Sequence, residues 1–152
     1  MDIHEVIARI CDAKEETLRQ SMNPVADLYR EGADLRTLIP LLIHSDSRVV
    51  ECGAWIASEV VDGHRGREIF DELSQLLDHS NPAVRFWSIE SIALSVKPEE
   101  HSVIHRLFLL AADPSPGVRR HALHYLCWIP DPIVESLRDT SAWPSARLLL
   151  QV

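Results

Sequence analysis

The sequence has little of what metal chemistry, phosphate handling or export usually requires. Its three cysteines, Cys11, Cys52 and Cys127, are odd in number and widely spaced. With no C-x-x-C pair, neither a disulfide framework nor a cysteine-held zinc site is suggested, and buried thiols are the simple reading. The five glycines are scattered, and Gly63-His64-Arg65-Gly66 connects two segments without forming a phosphate-cradling loop. Positive charge is also short. Lys and Arg number 15 against 23 Asp and Glu, a net charge of −8 that repels a polyanion and disfavours nucleic acid. Met1-Asp2-Ile3-His4-Glu5 lacks the basic region and apolar run of a secretory signal, and no apolar stretch nears the ~20 residues that span a bilayer. A reducing cytoplasm is the expected compartment.

What is present is a repeat. The 152 residues suit one domain, and with 46% apolar and 25% charged residues the chain can bury a core without help. The segments starting Ser47-Arg48-Val49-Val50, Pro82-Ala83-Val84-Arg85 and Pro116-Gly117-Val118-Arg119 align without gaps at offsets of 35 and 34 residues. The same offsets align Leu38 and Leu41 with Leu73 and Leu76 and with Leu107 and Leu110. Each unit holds two apolar periodicities of about 3.6 residues around a polar turn, which predicts a helical hairpin. The turns are His44-Ser45-Asp46-Ser47, His79-Ser80-Asn81-Pro82 and Asp113-Pro114-Ser115-Pro116. Ser, Asp or Asn can cap the second helix there, and Pro82 and Pro116 fall where a missing N–H costs nothing. Gly53, Ser88 and Ala122 share one position of the second helix, which predicts close helix approach.

The flanks read as caps, since an uncapped repeat would leave its stacking face wet. Residues 3–21 are expected to form one amphipathic helix on Ile3, Ile7, Ile10 and Leu18, with Asn23-Pro24 opening a short helix that ends near Gly32. Asp131-Pro132 matches Lys97-Pro98, and Pro144-Ser145-Ala146-Arg147 echoes Pro82-Ala83-Val84-Arg85, as in a shortened fourth repeat. The expected organisation is a single domain over 1–152: N-terminal capping helices at 1–33, repeats at 34–62, 66–97 and 98–130, and a truncated capping repeat at 131–152.

The Val-Arg pairs at Val84-Arg85 and Val118-Arg119, each followed by a small residue and an aliphatic stripe, resemble HEAT repeats of the bacterial HEAT-like type. The resemblance covers roughly residues 34–130, with Val50 standing where the other repeats carry Arg. It implies an all-α fold, an α-solenoid of about three to four hairpins with atypical caps, whose second helices line a concave binding surface. It also implies that Arg85 and Arg119 pair with turn residues of neighbouring units.

A helical wheel places Val49, Gly53, Ile56, Ala57 and Val60 on the buried arc, leaving Glu51, Trp55, Ser58 and Asp62 opposite. The equivalent outward residues are Phe86, Glu90, Ala93 and Lys97, then Arg120, His124, Cys127 and Asp131. Aromatic rings among charges compose a protein-binding hot spot, so Glu51, Trp55, Asp62, Phe86, Glu90, Arg120 and His124 are the expected partner-binding residues. The competing reading packs both rings on a neighbouring helix.

Catalysis finds less support. His101 with His105, and His121 with His124, share helix faces but lack further ligands. A His-Glu pair occurs once, at His4-Glu5, whereas HEAT-repeat hydroxylases with a di-iron centre repeat it across units. No base stands beside a candidate nucleophile in any local motif, and Glu99-Glu100 after Pro98 reads as a favourable helix start. HEAT-like DNA glycosylases present a basic channel, whereas this ladder mixes Glu51, Glu90 and Asp62 with Arg120 and Lys97. The expectation is a non-catalytic scaffold without cofactor or metal, monomeric when free, that binds another protein and neither nucleic acid nor membrane. Its size and acidity suit an immunity protein covering the active site of a basic toxin such as a nuclease. The alternative is a HEAT-like enzyme of lyase, hydroxylase or glycosylase type.

Overall fold

Helices form where the apolar periodicity puts them, and the computed structural model describes residues 2–12, 15–136 and 138, with 15–19 as backbone only. The elements are α1 (Ile3–Cys11), α2 (Glu15–Arg30), α3 (Ile39–Leu42), α4 (Ser47–Val60), α5 (Phe70–Leu76), α6 (Pro82–Ser95), α7 (His101–Leu109), α8 (Pro116–Leu126) and α9 (Asp131–Glu135). Single 3-10 turns lead into α3 and α5 and follow α7. Among the described residues there is no strand.

The starts follow from the turn residues. Asp46 accepts the Arg48 N–H, and Asn81 accepts the Ala83 N–H, each satisfying a donor that the first helical turn leaves open. Pro82 and Pro116 occupy the first positions of α6 and α8. At the ends of α4 and α6, Val61 and Val96 turn to extended backbone and stop the helix.

α2, α4, α6 and α8 pack side by side, with α1, α3 and α5 in a row behind them and α7 against α8. The aligned leucines Leu38, Leu41, Leu73, Leu76, Leu107 and Leu110 are all buried between the rows, as is the arc Val49, Gly53, Ile56, Ala57 and Val60. Each Leu, Ile or Val among them stabilises the fold by roughly 1.5–3 kcal/mol when fully buried. The small-residue position has the packing role its recurrence suggests. A Cβ on Gly53 would lie 2.8 Å from Leu41 Cβ, so α3 and α4 touch nearly backbone to backbone.

The N-terminal cap departs from expectation. α1 stops at Cys11, capped by Asp12, and α2 runs unbroken through Pro24. Proline removes one donor and clashes with the carbonyl four residues back, but Val25, Ala26 and Tyr29 immediately after it are fully buried against the first repeat. Tertiary burial thus outweighs a local breaker. The end near Gly32 is as expected. Gly32 adopts φ +108°, with the Gly32 and Ala33 N–H groups donating to the Tyr29 and Leu28 carbonyls, a left-handed helix stop that glycine enters without strain. The proposed echo at Pro144–Arg147 and the Leu18 side chain lie outside the described residues.

Charged residues tie the units together. Arg85 Nε and Nη2 donate to the two carboxylate oxygens of Asp113 at 2.7 and 2.8 Å, while Nη1 donates to the His79 and Ser80 carbonyls. Arg119 departs from the expected link between units, because its Nη1 donates to the Asp113 and Pro114 carbonyls of its own repeat. Arg65 closes α2 by donating to the Tyr29 and Ala33 carbonyls, and Arg67 pairs with Glu100 while lying 4.0 Å above the Phe70 ring. These arginines are architectural.

Candidate functional site

The outward side of α4, α6 and α8 carries most of the residues singled out above. Glu51 and Trp55 on α4 and Phe86 and Glu90 on α6 are half-buried, while Arg120 and His124 on α8 are exposed. Trp55 and Phe86 lean on the core without joining it. Asp62, exposed, also has a local role. Beyond the end of α4 its carboxylate accepts the His64 and Arg65 N–H groups, bonds that lower its pKa and set the loop into the second repeat.

The structure brings together a longer aromatic row than the wheel suggested. Phe86 meets Trp87 edge-on at 4.8 Å and stacks on His121 of the next helix, with centroids 3.8 Å apart and planes 20° apart. His121 meets Tyr125 at 5.0 Å, His124 meets Tyr125 at 5.1 Å, and Trp128 stands 6.3 Å beyond His124. The row therefore crosses the α6–α8 seam and ends on Trp128, which is 74% exposed. Trp87 and His121 were missed because they align with Cys52, which is buried in the first repeat, where the wheel was drawn. Their residue types were the available signal.

Two carboxylates flank the rings without a cation. Glu51 accepts from the Asn81 amide at 3.2 Å, while burial first and the nearby Glu90 carboxylate second push the Tyr125 pKa up. Neither forms an ion pair among the described residues. A shallow cleft of about 360 Å³ opens beside Phe86, lined by Glu51, Pro82, Phe86, Trp87, Ser115 and Val118.

Other candidate chemistry is dispersed. His44 and His79 act as turn acceptors, each taking through Nδ1 the N–H of the residue two further on, Asp46 or Asn81. Burial pushes the Cys52 thiol up to about 12, which keeps it protonated. Among the described residues no three His, Cys, Asp or Glu side chains gather as metal ligands, and no helix is long and apolar enough to cross a membrane.

Comparison with known proteins agrees with this architecture. Two solved structures resemble the fold over 98% of this chain at 16% identity: an engineered structural-genomics target, of which 76% is covered with a TM-score of 0.66, and a designed armadillo repeat protein in complex with the peptide (KR)4, of which 80% is covered with a TM-score of 0.58. No curated protein matches the chain. The family model for HEAT repeats matches residues 70–148, more than half of the sequence and across both gap-free units after the first. The chain belongs to the HEAT-repeat family.

Proposed function

We propose that the chain is a non-catalytic protein-binding scaffold that holds its partner against Glu51, Trp55, Phe86, Glu90, Arg120 and His124, with Trp87, Tyr125 and Trp128 beside them. One observation carries the reading: a row of rings running from half-buried Phe86 to exposed Trp128, flanked by Glu51 and Glu90, carboxylates that form no ion pair among the described residues. Desolvated rings supply binding energy, and unpaired carboxylates select a partner that brings positive charge. The designed armadillo protein solved with (KR)4 is an instance of a helical-repeat stack holding a basic chain. Within that role the net charge of −8 suits a cytoplasmic immunity protein that covers the active site of a basic toxin such as a nuclease. Opposite charge would speed their association.

The test compares tagged wild type with the Trp55→Ala/Phe86→Ala/Glu90→Ala variant in capturing a protein from the source cells. The expected result is an unchanged helical circular-dichroism signal with loss of the captured protein. Equal capture, or an unfolded variant, would sink the assignment of this face. For the immunity role, co-expression should relieve the growth arrest caused by the captured protein, and persistent arrest would refute that role alone.

A further inference from the structure

His121 sits in the middle of the aromatic row in a place that suits a neutral ring. Phe86 covers one face at 3.8 Å, Tyr125 meets it edge-on, and Nε2 is buried with no hydrogen-bond partner. A neutral imidazole with its proton on Nδ1 forgoes one lone-pair hydrogen bond there. An imidazolium would place a charged donor on Nε2 without an acceptor, at greater cost. The surrounding groups offer no compensation. From α6 come Phe86, Trp87 and Glu90, and the Glu90 carboxylate bears on Tyr125, not on His121. From α8 come Arg120, His124 and Tyr125, and His124 acts against a charge on His121. On α4, Glu51 is engaged by Asn81.

We propose that His121 is an acid-sensitive latch between α6 and α8: neutral, it closes the aromatic row; protonated, it leaves Phe86 and opens the row at that seam. The consequence for a partner, release on acidification, rests on the protein-binding reading, whereas the latch itself does not. Burial first, and His124 second, hold the His121 pKa below its ordinary 6.5. The unfolded chain therefore takes up the proton first. The stack is intact above about 6.5, loses stability as pH falls through the folded value, and carries the full cost below it.

The experiment follows the histidine and Phe86 ring resonances of the full chain by NMR from about pH 8 to about pH 5. The Trp87 indole resonance is followed in the same spectra, resolved from those of Trp55, Trp128 and Trp143. His121 should titrate below 6.5, with Phe86 and Trp87 shifting in the same step. In His121→Phe, which keeps a stacked ring without a titrating nitrogen, the Trp87 change should be lost. Titration of His121 at or above 6.5 would overturn the latch, and so would a Trp87 change that persists in His121→Phe. Neither readout uses a partner, so failure of the capture experiment leaves the latch standing, and failure of the latch leaves the capture result intact.

Discussion

The two joints between successive repeats solve the same problem with different chemistry. Each turn needs an acceptor for the N–H two residues on. His79 supplies Nδ1 to Asn81 at the first joint, and Asp113 supplies a carboxylate oxygen to Ser115 at the second. The preceding repeat then matches the acceptor. Val50, buried, lines a shared cavity with His79, whereas Arg85 grips the Asp113 carboxylate with a bidentate pair. Both members of that pair are largely buried, Arg85 at 13% and Asp113 at 4% side-chain exposure, so the carboxylate depends on its cation. The acceptor and the residue facing it therefore change together, Val with His and Arg with Asp.

This contrast can be broken most severely at the second joint. Arg85→Met leaves Asp113 buried without its cation and should cost roughly 3–5 kcal/mol in urea unfolding. A loss below about 1 kcal/mol would show that the pair is incidental. Transplanting the ionic joint sharpens the comparison. Val50→Arg and His79→Asp should each destabilise alone, and the double variant should recover about 1–3 kcal/mol of coupling in a double-mutant cycle. Additive losses would mean that the two positions do not face each other functionally.

Acid should separate the joints as well. Hydrogen bonds from Arg85 hold the Asp113 carboxyl below its ordinary 3.8. Its contribution is complete above that ordinary value and is withdrawn as pH falls through the folded one. Urea midpoints should therefore fall more steeply below about pH 4 in wild type than in Arg85→Met, where the folded pKa no longer lies so low. Parallel slopes would remove Asp113 from the account. The smallest effect lies in the caps. Asn81→Ala should cost about 1 kcal/mol, because Asn81 accepts the Ala83 N–H. Ser115→Ala should change thermal stability very little, because the Ser115 side chain caps nothing.

The joints also show what could be read before the fold was known. The offsets of 35 and 34 residues, the recurring leucines and the small-residue position all follow from packing that repeats, so the sequence pattern carried them. The N-terminal helix did not follow, because Pro24 is a local signal and the burial of Val25, Ala26 and Tyr29 is not. The outward arc was legible from one helical wheel for Glu51, Trp55, Phe86, Glu90, Arg120 and His124. Trp87 and His121 were not, because burial at their position changes along the stack, from Cys52 at 3% exposure to two half-buried rings. Asp62 looked like a ladder residue only while the helix was imagined to continue past Val61.

Pro24 has a further consequence at the N-terminal end of the stack. Without an N–H it leaves the Gln20 carbonyl outside the helical hydrogen-bond ladder, so α2 is two hydrogen-bonded lengths on either side of one missing rung. The second length is fastened independently: Tyr29 is hydrogen-bonded to Thr37 at 2.9 Å, and Arg65 holds its last carbonyls. Unwinding that begins at the N-terminal end of α2 would thus meet a natural stopping point at the proline, and the first repeat would keep its cover.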